Sequence, residues 1–273
     1  MKAYLVLAIF VLAVVLGVIT RFYKLGEAPA GLYLDEAAQG YNAYSILKTG
    51  KDEFGKSFPV VFRSFTEFKT PVYIYLIVPL IFLKTNLFIP IFDLTPFTVR
   101  MPSFIFSILT FPILFLLLKK ISPPQFALPL SSLTTLLLAI SPWHILFGRT
   151  NFECNVALFF LIAGLYFLYK GLEKPIWLIA ASVMFAIAIP AYHSQRIVTP
   201  AMLLVLGVKY RHKLFSKNSL RFTIIGLAIG FLILLPTFSV ATTPGFLARA
   251  AGLNIFSSQK LPAGFLEDYQ GPF

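Results

Sequence analysis

Long apolar runs recur along this chain with little polar sequence between them, and that pattern decides what it can fold into. They cover residues 3–20, 71–83, 98–118, 126–142, 154–169, 175–191, 197–208 and 222–240. Hydrophobic residues make up 58% of the 273, charged residues only 12%, and the mean hydropathy is +0.82. Polar side chains are too few to clothe a soluble globule of this size, so most of the surface must face lipid. The chain reads as an all-α membrane protein, a polytopic transmembrane helix bundle.

The first run, in "MKAYLVLAIFVLAVVLGVIT", has the outline of a signal peptide but is about 18 residues long and ends in "RFYKLG" rather than at small residues suited to cleavage. It is read as a retained first helix with its N-terminus inside. The second run, "PVYIYLIVPLIFL" (71–83), has 13 residues and two prolines. That is short of the ~20 residues needed to span a bilayer, so an interfacial or re-entrant helix is expected there. Positive charge supports the choice. If 71–83 does not cross, then Lys119 and Lys120, Lys170 and Lys174, and the cluster Lys209, Arg211, Lys213, Lys217 and Arg221 all lie inside with Lys2, as the positive-inside rule requires. If it crosses, all three loops flip outward. The expectation is therefore about seven spans, a long first external loop over 21–97 carrying interfacial helices, and the start of a later external loop at 241–273. Ten of the 11 acidic residues then lie outside, leaving Glu173 within.

Composition also excludes function classes. Cys154 is the single cysteine, so there is no internal disulfide and no cysteine-based metal motif, and the three histidines lack the spacing of a zinc site. The net charge of +12 is spread between apolar runs rather than gathered in one basic stripe, which argues for topology signals and against nucleic acid. No Gly-rich phosphate loop occurs.

The expected topology brings several polar stretches to one membrane face: "LDEAAQGYNAYSILKTGKDEFGKSFP" and "FTEFKTPVYIY" in the first loop, "SPWHILFGRTNFECN", and "AYHSQRIVTP". After Asp35, apolar residues recur near helical spacing until Gly50, predicting a helix along the membrane surface. Each candidate has a purely structural reading. Asp35 suits an N-terminal cap. Glu153 suits the start of the fourth span, Arg149 an interfacial anchor and His193 a polar helix end. Trp143 and Trp177 read as belt aromatics, Gly226 and Gly230 as a packing pair. The functional reading rests on convergence: Asp35 with Glu36, and Glu153, share a face with Lys69, Arg149 and Arg196. A general base must reach a hydroxyl proton, and a phosphate leaving group needs positive charge near its oxygens.

The ordered set "DE", "KTGKDEFG", "FKTPVYIYL", "VRMPS", "ISPWHILFGRTNFECNVALFF" and "YHSQR" resembles the bacterial GT-C glycosyltransferases of the family-39 type, related to protein O-mannosyltransferases and lipid A aminoarabinose transferase. The likeness runs from about residue 20 to 205. It implies an inverting transferase, mannosyltransferase-like, that moves a sugar from a polyprenyl-phosphate carrier to a hydroxyl of a protein, lipid or glycan at the non-cytoplasmic face of the plasma (inner) membrane. By motif position it implies that Asp35 is the catalytic base, Glu36 its support and Lys69 a contact of the donor phosphate. Arg149 and Glu153 would complete the pocket from the second loop, with His193 and Arg196 as substrate or phosphate contacts. Some relatives bind a divalent ion, so Asp35 and Glu153 could offer oxygen ligands to Mg²⁺ or Mn²⁺. Family members continue for further spans, so the chain reads as an N-terminal portion whose Gly- and Pro-rich end, "LPAGFLEDYQGPF", is expected to be poorly ordered.

Two other classes stand beside this one. A polytopic transporter would carry ionisable residues at mid-depth of its spans, and the runs 98–118, 126–142, 175–191 and 222–240 are read as carrying none there. A non-catalytic membrane assembly subunit would make the clustered charges incidental.

Overall fold

The computed structural model describes residues 3–64, 67–87, 94–243 and 246. Lys2 and the "LPAGFLEDYQGPF" end lie outside the described residues, as does most of the expected later loop. Ten helices account for most of the described chain: α1 (Ala3–Phe22), α2 (Leu34–Thr49), α3 (Pro71–Leu87), α4 (Pro96–Ile121), α5 (Pro124–Ile140), α6 (Pro142–Arg149), α7 (Glu153–Gly171), α8 (Trp177–Ala191), α9 (Gln195–Leu214) and α10 (Leu220–Ser239). Among the described residues one antiparallel hairpin, β1 (Phe62–Ser64) and β2 (Glu67–Lys69), pairs Phe62 with Lys69 and Ser64 with Glu67.

Proline and glycine set the boundaries. Pro71, Pro96, Pro124 and Pro142 each open a helix, where the missing N–H costs nothing and the fixed φ is already helical. Thr95 caps α4 by accepting from the Thr98 N–H at 3.4 Å. α2 stops where the spacing expected it to: Gly50 adopts φ 70°, and its N–H bonds the Ile46 carbonyl at 2.9 Å. Pro142 ends α5 and begins α6 at a bend of 61°.

Four described helices are long and apolar enough to cross a bilayer: α1 from Tyr4, α4, α7 and α10. A fifth is added if bent α5–α6 counts as one span. The expected seven drew also on α8 and α9. α8 has only 15 residues, roughly 22 Å at 1.5 Å per residue, and α9 ends in Arg211, His212 and Lys213 after Lys209. Both fall short by length or composition, although both pack in the bundle.

Helices in lipid gain little from hydrophobic burial against one another, so their contacts depend on close approach. The Gly226–Gly230 pair serves this: both glycines are buried where α10 meets α8, and a Cβ on Gly226 would sit 2.7 Å from the Ser182 hydroxyl. Around the first-loop helices lies a cluster of Ala43 and Ile46 of α2, Tyr73, Ile74 and Ile77 of α3, Val99 of α4, Val156 and Phe160 of α7, and Ala188 of α8.

The helix ends fall into two sets. At one end, Thr70 donates to the Ala191 carbonyl of α8 at 3.0 Å, Tyr73 donates to the Val99 carbonyl of α4 at 3.1 Å, and Arg100 of α4 meets Glu36 of α2. At the other end Lys120 of α4 pairs with Glu173 between α7 and α8, and Thr223 of α10 donates to the Leu214 carbonyl of α9 at 2.8 Å. α3 and α4 therefore both begin at the first end.

Candidate active site

α2 and α7 meet at the first end, and their N-terminal turns carry the acidic residues. Asp35 projects from the first turn of α2. Its carboxylate lies 2.7 Å from the Lys69 ammonium, with 36% of the Asp35 side chain exposed against 4% of Lys69. The short hairpin is what brings Lys69 there. It is pinned on its other side by Thr70 on Ala191 and by a ring nitrogen of His193 at 3.1 Å from the Phe68 carbonyl.

The adjacent Glu36 is wholly buried and turns the other way. Arg100 donates to both of its oxygens at 2.9 Å, the Asn151 N–H donates to Oε1 at 3.0 Å, and the Tyr33 N–H donates to Oε2 at 3.4 Å. Glu36, not Asp35, thus satisfies the backbone at the start of α2. The capping reading of Asp35 is corrected accordingly: it lies inside the first turn, where it is available to the hairpin lysine. Four accepted hydrogen bonds occupy the acceptor sites of the Glu36 carboxylate, so its contribution is to position α2 against α4 and the α6–α7 junction.

Glu153, at the start of α7, accepts from the Gln39 amide at 3.1 Å. Gln39 lies one turn along α2 from Asp35, on the same face. Asp35, Glu36, Lys69 and Glu153 therefore belong to one polar cluster assembled from three separate segments of the chain, the start of α2, the end of β2 and the start of α7. Tyr33 closes one side, its hydroxyl donating to the Asn151 carbonyl at 3.0 Å. Burial, with the nearby Asp35 and Glu36 carboxylates, pushes that hydroxyl well above its ordinary range, so it remains a donor.

The other expected residues fall at the margins. Arg149 donates to the carbonyls of Thr20 at 2.7 Å and Ala28 at 2.9 Å, tying down the connection between α1 and α2. Arg196 donates to the Phe246 carbonyl at 2.8 Å and stacks 3.6 Å over the Phe246 ring. Both guanidiniums bind backbone, which in irregular connections near lipid needs partners that water does not supply.

Several members of the cluster are absent from the sequence-based expectation. Arg100, near the start of the run 98–118, is a buried cation that also donates to the carbonyls of Leu25 at 3.1 Å and Pro29 at 2.9 Å. A charge in an apolar run is a signal that could have singled it out. Gln39, Asn151 and Asn155 carry no such signal. Asn155 donates to the Ser103 carbonyl at 2.8 Å, and Ser103 accepts from the Phe152 N–H at 3.3 Å.

A divalent ion fits these residues poorly. Asp35 already has an ammonium at 2.7 Å, Glu153 meets the Gln39 amide, and no group of three His, Cys, Asp or Glu side chains suited to a metal occurs among the described residues.

An all-α membrane bundle with a buried ion-pair network and a partly exposed carboxylate at one end defines the class. The chain belongs to the dolichyl-phosphate-mannose-protein mannosyltransferase family, whose sequence model matches residues 70–239, more than half of it. It is thus an integral membrane protein of a glycosyltransferase family. Comparison with curated proteins and with solved structures gives no match. The matched region begins just after Lys69, and α2 is joined to it by the Glu36–Arg100 and Gln39–Glu153 contacts.

Proposed function

We propose that this protein transfers a sugar, mannose by its family, from a polyprenyl-phosphate carrier to an acceptor hydroxyl, with Asp35 as general base. The observation that carries this is the Asp35–Lys69 pair: a partly exposed carboxylate oriented by a buried ammonium, linked along α2 through Gln39 to Glu153, at the end of the bundle where α2, α3, α4 and α7 begin. The acceptor oxygen attacks C1 of the sugar as its proton passes to Asp35. The bond between C1 and the phosphate oxygen breaks, its electron pair leaves with the polyprenyl phosphate, and the configuration at C1 inverts. Lys69 orients Asp35 and supplies positive charge near the departing phosphate. Glu36 and Arg100 hold α2 in register. An apolar carrier suits a bundle whose helices expose Leu, Ile and Phe to lipid.

The site is placed on the non-cytoplasmic side of the plasma (inner) membrane. What supports this is the basic cluster at the opposite end, where Lys119, Lys120, Lys170, Lys174, Lys209, Arg211 and Lys213 follow the positive-inside rule.

Lys69→Ala is expected to lower kcat/KM about 100-fold, the usual effect of losing one charge-stabilising group, and to weaken donor binding more than acceptor binding. Steady-state kinetics with both substrates varied reads this out. Equal loss for donor and acceptor would assign Lys69 a purely structural role.

A further inference from the structure

α1, α4 and α5 leave a groove between them at the basic end of the bundle, away from the Asp35–Lys69 pair. α1 and α4 approach closely at Gly17, where a Cβ would overlap the Phe111 ring. From there toward the end marked by the Lys120–Glu173 pair, the two helices and α5 line an open groove of about 440 Å³, a size within the ~300–1,000 Å³ usual for small-molecule sites. Leu7 and Phe10 of α1, Pro112 and Phe115 of α4 and Leu128 of α5 contribute to its walls, and the Phe10 and Phe115 ring centroids lie 4.7 Å apart. Seven of the eight lining residues are apolar, and the eighth is Lys119.

The two lysines that end α4 are put to different uses. Consecutive helical residues point about 100° apart, so Lys120 reaches Glu173 while Lys119 faces the groove. Glu173 is the one acidic residue described at this end and Lys120 takes it, which leaves Lys119 without an ion pair among the described residues. Lys174 and Lys213 lie close enough to act on Glu173 as well, so the field around the mouth of the groove is positive. The groove runs inward from Lys119 to Pro112, seven residues or about 10 Å along the helix, against the ~15 Å of half a hydrocarbon core. An apolar trough of that depth with an ammonium at the headgroup level matches a lipid in two parts, chain and phosphate. Some acyl chain fills any groove on a lipid-facing wall; Lys119 makes this one selective for charge.

We propose that this groove binds one acyl chain of an anionic phospholipid, with the lipid phosphate on Lys119. The site lies at the end of the bundle opposite Asp35 and requires no sugar transfer, so it stands or falls separately from the proposed reaction.

The test measures binding of phosphatidylglycerol and of phosphatidylcholine with the same acyl chains to the full chain in detergent, by native mass spectrometry, in wild type, Lys119→Ala, Lys217→Ala and Leu7→Trp. Lys217 is an exposed cation of the same end that does not line the groove, and Leu7 is 62% exposed, so a larger ring there fills the groove without disturbing the bundle. The wild type is expected to hold one phosphatidylglycerol in preference to phosphatidylcholine. Lys119→Ala should weaken phosphatidylglycerol about 5-fold, the usual worth of one lysine against an anionic lipid, and leave phosphatidylcholine nearly unchanged. Lys217→Ala should change neither, and Leu7→Trp should weaken both. Equal losses in the two lysine variants would reduce the preference to diffuse attraction and overturn the inference, as would undiminished phosphatidylglycerol binding in Leu7→Trp. Displacement of phosphatidylglycerol by an equal concentration of polyprenyl phosphate would make the groove a carrier site and overturn it too. A dimer that Leu7→Trp dissociates, with no lipid retained by the wild type, would assign the groove to a second copy of the chain instead.

Discussion

Arg100→Met should be the most destabilising single substitution in the polar cluster. Glu36 is fully buried, and Arg100 is its only cationic partner among the described residues. Removing one member of such a pair leaves a carboxylate in a site where water cannot reach it, at a cost of about 3–5 kcal/mol. The loss of Arg100's bonds to the Leu25 and Pro29 carbonyls adds to this. Thermal unfolding in detergent should show a fall of several degrees, and Arg100→Met combined with Glu36→Gln should unfold later than Arg100→Met alone, because the second change removes the unpaired charge. If the double variant were less stable than the single, the ion pair would not be what holds α2 to α4.

Asp35→Asn should abolish transfer without that instability. Asp35 keeps a third of its side chain exposed, and the replacing amide oxygen can still accept from the buried Lys69 ammonium, so the change costs less stability than stranding the fully buried Glu36 carboxylate. The amide is nearly isosteric but cannot take a proton, so turnover, read as release of free polyprenyl phosphate, should fall at least 100-fold, with expression and melting temperature close to wild type. Turnover within a few fold of wild type would remove Asp35 as the base. Loss of both turnover and stability would instead assign it the packing role that belongs to Glu36.

The contrast between these neighbouring carboxylates marks how far the sequence could be read. The helix after Asp35 and its stop at Gly50 were visible in the apolar spacing and in a residue suited to positive φ. The gathering of Asp35, Lys69 and Glu153 followed from keeping 71–83 at one end of the bundle, since only that choice puts the three loops together. Which carboxylate turns inward was not visible, because it depends on where Arg100 and the Asn151 backbone arrive from elsewhere in the chain. Arg149 was expected to complete the pocket from the second loop, and Arg196 to contact substrate or phosphate. Positive charge at a helix end does not by itself distinguish an anionic ligand from backbone carbonyls, and in this fold the carbonyls of Thr20, Ala28 and Phe246 take the guanidiniums. The carboxamides went unnoticed because Asn and Gln have no periodic or charge signature; only burial reveals them. α8 and α9 show the converse: apolar runs suggested spans, but α8 has only 15 residues and α9 ends in a basic turn.

The proposed site of transfer depends on the hairpin, α2 and α3 lying together on the outer face. Ser57 is exposed and bridges to Lys51 in that same loop, and Cys154 is the only native thiol. With Cys154 replaced by Ala and Ser57 by Cys, a membrane-impermeant maleimide applied to intact cells should label the protein fully, with no gain on permeabilisation. Labelling that appears only after permeabilisation would put Asp35 and Lys69 on the cytoplasmic side and contradict the proposed site of transfer.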